Sequence, residues 1–250
     1  MPIDERLAQE IKDTRQHLLN EGRLHTPERL QHYYTIFRER FGPERLRSLD
    51  GEALLEYMHA HGSRDSLVYW LEFKNDEEFP AIFGSISGGS ALKFGIYKSA
   101  QTGEWMTGSP QKQEIVSAEE AVDIARRHRA QLLRGLELLE ELPVNGTDED
   151  YRSLQTQMDA EAPDVSRVAW GHKYFSLLFP GKLDDYHVEI YQHFHLIKLL
   201  QLPPEGDGRY LCAGRYIALA QELEMPVNHL TTILNQRHGR PHSCLLYTSP

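Results

Sequence analysis

Ser117-Ala-Glu-Glu120 places the firmest constraint on the fold of this chain. Ser followed three residues later by Glu is a capping box, in which the hydroxyl and the carboxylate satisfy N–H groups that a helix start leaves open. Behind it, Ala121, Ile124, Ala125, Leu132, Leu136 and Leu139 recur on one side of a 3.6-residue period, and Pro143 with Asn145-Gly146 stops the pattern. The spacing predicts a long amphipathic helix from 117 to about Glu141.

The flanks differ from each other. Residues 1–62 read as helical. Leu7, Ile11, Leu18 and Leu19 keep helical spacing, and Thr26-Pro27 starts a helix that buries Leu30, Tyr33, Tyr34 and Phe37. Gly42-Pro43 ends it, and Asp50-Gly51-Glu52 opens a short helix carrying Leu54, Leu55 and Met58. The β-branched and aromatic runs Ser66–Lys74, Ile82–Ile86 and Leu92–Tyr97 then read as strands. Gly88-Gly89-Ser90 and Thr102-Gly103 read as turns, and Glu104–Thr107 follows as the next β segment, giving a β-meander. After the long helix come a helix over Asp148–Met158 and further helices near 170–178, 185–201, 210–223 and 226–237. The expected class is α+β: N-terminal helices, an antiparallel β-meander and a long helix over 1–145, then a small all-helical domain over 165–242.

Composition narrows the function classes. An apolar fraction of 40% and a charged fraction of 26% are those of a globular protein. No apolar run approaches the roughly 18 residues a membrane span needs, and Met1-Pro-Ile-Asp-Glu-Arg6 is too polar for a secretory leader. Of the two cysteines, Cys212 reads as a buried small apolar residue in a reducing compartment, so the expected location is cytoplasmic. The net charge of −10 argues against a dedicated non-specific DNA binder, while leaving room for a local basic face. Ser243-Cys-Leu-Leu-Tyr-Thr-Ser-Pro250 resembles translated sequencing-adapter read-through on metagenomic reading frames. Residues 243–250 are therefore set apart from fold reasoning, and the natural chain is expected to continue past 242.

Val168-Ala-Trp-Gly-His-Lys-Tyr-Phe-Ser-Leu-Leu-Phe-Pro-Gly-Lys-Leu-Asp-Asp-Tyr-His187 resembles a segment from the region ahead of the ATPase in McrB-type AAA+ restriction proteins. Tyr69–Lys74, Gly84–Lys93 and Gly103–Gly108 look like the front of the same group, though less specifically. The resemblance implies full-length relatives with an NTP-driven ring, a separate nuclease partner, and front domains that read DNA or dock a partner. NTP and Mg²⁺, and any oligomer, are expected only in a downstream domain. This chain has no G-x-x-x-x-G-K-[ST] motif. Lys93 lies four residues past Gly89, so Gly84–Lys93 reads as a tight turn rather than a phosphate loop. No catalytic residue and no metal ligand is carried over.

Three groups of residues are candidate nucleic-acid contacts. Arg126, Arg127 and Arg129, with Arg134, form the densest positive patch, which can equally be a solvated helix face paired to Glu119 and Asp123. Lys173 and Lys182 interleave with Trp170, Tyr174 and Tyr186, as suits nucleic acid, but rings at helical spacing also build cores. Ala213–Leu223 and the helix after Pro226 have the texture of a helix–turn–helix, with Asn228, Thr231, Thr232, Asn235 and Arg237 facing a groove.

Two further patterns carry chemistry. Glu72-Phe-Lys74, read on a strand, is half of a PD-(D/E)xK Mg²⁺ nuclease site or else an outward ion pair. Its missing half is an acid, for which Asp65 and Asp50 are poorly placed. Asp184-Asp185 suits a helix start, and His187, His193 and His195 lack an HExxH-type pair, so they read as polar helix-face histidines. The expected role is target recognition, of DNA above all, or partner docking. The alternatives are the Glu72/Lys74 nuclease and a protein-interaction scaffold.

Overall fold

The computed structural model describes residues 2–84, 86, 91–109 and 111–241. The fold is α+β, with helices dominating a small antiparallel sheet. The helices are α1 (Glu5–Asn20), α2 (Pro27–Phe41), α3 (Pro43–Arg47), α4 (Gly51–His59), α5 (Leu67–Phe73), α6 (Ala118–Glu141), α7 (Asp148–Glu161), α8 (Pro163–Ser166), α9 (Ala169–Leu178), α10 (Glu189–Lys198), α11 (Ala213–Glu222) and α12 (Val227–His238). The strands are β1 (Ile96–Lys98), β2 (Trp105–Ser109) and β3 (Lys112–Val116), in the order β1-β2-β3. The capping box forms as expected: Ser117 Oγ accepts from Glu120 N at 3.2 Å, and Ser117 N donates to the Glu120 carboxylate at 2.8 Å.

The meander is present, but it lies later in the chain than its first expected strands. Ser66–Lys74 is not a strand. Ser66 Oγ accepts from Tyr69 N at 3.2 Å as the N-cap of α5. Leu67, Val68, Trp70 and Leu71 are buried and Phe73 is exposed, which is a helical pattern. The cap and packing on both flanks of Trp70 override the β-propensity of these side chains. Ile82–Phe83 is likewise turn rather than strand, and Gly84 shows why the chain folds back there. Gly84 N donates to Lys74 O at 2.7 Å, and a Cβ at Gly84 would sit 2.7 Å from the Phe73 carbonyl carbon. Ala91–Phe94 forms a short 3₁₀ turn, so only Ile96 and Tyr97 of the expected Leu92–Tyr97 strand pair, within β1. Ile96 lies opposite Thr107, and Trp105 opposite Val116. The Gly88-Gly89-Ser90 turn and the 243–250 tail fall outside the described residues.

The chain folds into two compact units, and neither is one continuous stretch. One unit comprises the described residues up to His32, Leu139–Thr156, and the described residues from Phe179 onward. Its core joins Ile11 and Leu18 of α1 to Leu196 of α10, Tyr216 and Ile217 of α11, and Leu230, Ile233 and Leu234 of α12. The other comprises Tyr33–Leu138 and Gln157–Leu178. Its centre is aromatic: Phe37 lies 5.5 Å from Phe83, Trp70 lies 5.0 Å from Phe83, and Tyr174 donates its hydroxyl to Phe41 O at 2.9 Å. These limits differ from the expected linear division into 1–145 and 165–242, because α1 shares a core with the last three helices.

Helix ends in the first unit are built alike. Gly22, Leu200 and Glu224 all take positive φ directly after α1, α10 and α11. In each case the next N–H reaches back to a carbonyl in the last turn: Arg23 to Leu18, Gln201 to Leu196 and Met225 to Ala220. These are Schellman closures, with Leu and Glu at two positions where Gly is the unstrained choice.

Among the described residues no helix is long and apolar enough to cross a membrane.

Candidate functional site

The arginines of α6 are already engaged. Arg126 makes a two-armed ion pair with Asp50, at 2.8 and 2.9 Å, and touches Asp123 at 3.1 Å. That contact holds the Asp50 carboxyl down to about 2. Arg127 binds Asp164 at 2.8 Å, and Arg129 donates to Leu49 O beside Asp50. Arg134 sits between Glu161 at 2.6 Å and Glu137 at 3.1 Å. The densest positive run in the sequence thus meets a carboxylate at every arginine, and those carboxylates cancel much of the field a phosphate would feel.

The lysine candidates are structural too. Lys173 is buried, with Nζ 3.3 Å from Leu71 O at the end of α5. Lys182 donates to Leu139 O at 2.7 Å and Leu142 O at 2.6 Å, closing the C-terminal end of α6, where the helix dipole favours a cation. Trp170, Tyr174 and Tyr186 are all core.

The helix pair α11–α12 exists with the short turn expected, but α12 does not offer a reading face. Thr231 is buried with its hydroxyl on Val227 O and Asn228 O, both at 3.2 Å, and its carbonyl accepts from Tyr186. Asn228 donates to Asp185 at 2.7 Å, and Arg237 binds Glu10 at 2.8 Å. Asn235 is exposed and Thr232 half-buried. A recognition helix needs a free face along its length, whereas α12 is the inner helix of its unit, with Leu230, Ile233 and Leu234 fully buried.

Glu72 and Lys74 do not form half a nuclease site. Both lie on or just after a helix, so strand alternation does not apply. Lys74 pairs with Asp76 at 2.8 Å, while Asp65 and Asp50 bind Arg40 and Arg126. Glu72 is instead buried against Lys93, Oε1 to Nζ 2.5 Å, and Lys93 also donates to Ile86 O at 2.7 Å. The other Glu72 oxygen faces His61 Nε2 at 3.8 Å, and neither atom has a hydrogen-bond partner among the described residues.

His61 belongs to a larger buried group. Its Nδ1 contacts His59 O at 3.1 Å, and His59 Nε2 meets His128 Nδ1 at 3.2 Å under Trp170. Burial pushes His128 down to about 4 and His59 well below the usual imidazole range, so both rings are neutral at pH 7. One ring must therefore donate to the other. Sequence reading placed His128 only within the arginine run. Its partner is 69 residues away, and no local signal marks the pair.

In the other unit, Asp184 does not cap a helix; α10 starts only at Glu189. Asp184 is fully buried, accepting from Tyr186 N and from Gln192 Nε2, both at 2.8 Å, and burial pushes its carboxyl up to about 8. His195 is buried rather than on a polar face, stacked on Tyr186 with centroids 4.8 Å apart. Cys212 is buried and its thiol is pushed up to about 12, which makes it inert.

One surface feature stands apart from these satisfied groups. Val188, Ile197, Leu200 and Leu202 are exposed by 43, 60, 75 and 80% within one short stretch around α10. Leu200 is the positive-φ residue of the Schellman closure and Leu202 lies just past it, where the chain leaves the helix. Among the described residues, no group of three or more His, Cys, Asp or Glu is arranged to hold a metal ion. Comparison of the chain with protein-family models, curated proteins and solved structures found no match.

Proposed function

We propose that this chain is the partner-docking region of a McrB-like restriction NTPase, and that what it docks is a protein, the separate nuclease subunit, rather than DNA. The observation that carries this reading is the apolar stretch Ile197, Leu200 and Leu202, each more than half exposed. Apolar surface concentrated in one place is a mark of protein contact. The backbone supports it: a leucine in the left-handed region costs about 1 kcal/mol relative to glycine, and Leu200 is held there with its side chain in solvent. The electrostatics lean the same way, with a net charge of −10 and the α6 arginines matched to carboxylates.

The test is a binding measurement of the folded chain against the nuclease subunit of a McrB-type system and, separately, against duplex DNA. Leu200→Glu with Leu202→Glu should abolish nuclease binding while leaving the helical circular dichroism unchanged. DNA binding should stay in the weak non-specific range, no tighter than about 1 μM at physiological salt. Nuclease binding that survives both substitutions would remove this stretch from the docking surface and overturn the reading, and tight DNA binding lost on Arg126→Ala with Arg127→Ala and Arg129→Ala would overturn it in favour of DNA recognition.

A further inference from the structure

His195 poses a problem that the docking role does not solve. It is completely buried, and among the described residues no group meets either ring nitrogen in good hydrogen-bond geometry, with the Asn235 side chain alone near enough to act on the ring. A buried polar atom left unpaired costs about 1–3 kcal/mol, so such a ring calls for a partner not yet accounted for. A second orphan lies next to it. His238 Nε2, at the end of α12, is also buried without a hydrogen-bond partner among the described residues, and the two ring centroids are 6.0 Å apart.

That spacing has a chemical reading. Two imidazoles sharing one metal ion through bonds of about 2.0–2.1 Å hold their ring centres about 5–6.5 Å apart. Arg237 and Lys198 stand near His238, and the Asn235 side chain stands near His195. The Arg237 charge is met by Glu10 at 2.8 Å, which limits its repulsion of a bound cation. Tyr186, stacked on His195 with the planes 8° apart, fixes the ring's orientation. Asn235 lies one helical turn before His238 on α12, so the two share a face, and the Asn235 side chain reaches His195.

We propose that His195 and His238 form a two-histidine site for a borderline divalent transition metal of the Zn²⁺, Ni²⁺ or Cu²⁺ class, with Asn235 and water completing the coordination. Imidazole nitrogen with neutral oxygen selects these ions over Mg²⁺ and Ca²⁺, which prefer all-oxygen sites. With two protein nitrogens the site is a labile one, and it clamps the end of α12 to α10. It goes beyond the docking role and stands independently of it.

The experiment is a titration of the full chain with ZnCl₂ by calorimetry, alongside Co²⁺ absorption, for wild type and for the His195→Gln, His238→Gln and His193→Gln variants. One equivalent of Zn²⁺ should bind wild type and the His193→Gln control equally. Affinity should fall about tenfold or more in both other variants. Because His195 is a core residue, the partly exposed His238→Gln carries the test if His195→Gln fails to fold. No Zn²⁺ binding at about 100 μM, or full affinity retained in His238→Gln, would overturn the proposal and leave a buried water as the partner of the two rings.

Discussion

At the scale of single residues, the most consequential groups are buried and titratable. Asp184 holds its proton up to about 8 in the folded chain, whereas an unfolded Asp releases it near 4. Between those limits the folded state binds the extra proton, so the Asp184 contribution to stability falls as pH rises and is lowest above about pH 8. Asp184→Asn removes this dependence. The stability difference between variant and wild type, from urea unfolding, should move toward the variant by at least about 1 kcal/mol from pH 5 to pH 9. The lost hydrogen bond to Tyr186 or Gln192 only offsets the whole curve. The His59–His128 pair has the opposite sign. Its depressed folded values mean that the unfolded chain takes up protons first, so stability present above about pH 6.5 is lost as pH falls toward 4. Urea unfolding, followed by the fluorescence of Trp170 against which both rings pack, should show this as a loss of stability between about pH 6.5 and 4.5, and His128→Gln should flatten it. Sequence reading could not assign these roles. A histidine or aspartate becomes unusual only through what buries it, and those partners lie on distant segments.

At the scale of elements, caps and stops were legible and strands only in part: Glu104–Thr107 falls on β2, while Ser66–Lys74 and Ile82–Phe83 form no strand. Ser117 and Glu120 announce α6, and the structure places the helix within a residue of expectation. The run Leu67–Phe73 has the composition of a strand and the capping of a helix; Ser66, which settles the matter, looks ordinary in sequence. The end of α10, expected at 201 and found at Lys198, was blurred for a related reason. Leu200 and Glu224 close α10 and α11 without the glycine that marks the end of α1 at Gly22. Glu224 has φ 54°, a conformation a side chain makes costly. Glu224→Gly should therefore raise stability by about 1 kcal/mol, read as an increase in Tm of a few degrees. An unchanged or lower Tm would mean that the Glu224 side chain contributes as much as its backbone strain removes.

At the scale of the whole molecule, the order of elements in the chain is not the order of elements in the cores. Ile11 and Leu18 near the start are fully buried with Leu230, Ile233 and Leu234 near the end. Burying a side chain of that size contributes about 1.5–3 kcal/mol, against a total stability of about 5–15 kcal/mol for a typical domain. A fragment of residues 163–241, close to the 165–242 domain that the sequence alone suggests, loses these contacts. It should bind a hydrophobic dye and lack near-ultraviolet circular dichroism, and adding residues 2–32 with 139–156 in one chain should restore both signals. A well-folded 163–241 fragment would show that α1 is dispensable. The sequence by itself determined the α+β class, the long capped helix, the sites of most other helices and the buried nature of its aromatic rows, because each follows from local periodicity and capping. Only the tertiary structure decided that the α6 arginines meet Asp50, Asp164 and Glu161, that Glu72 faces Lys93 and His61, and that α12 is an inner helix. Those outcomes depend on contacts between residues tens to hundreds of positions apart, and a charge or a ring carries no local mark of the partner that will neutralise or bury it.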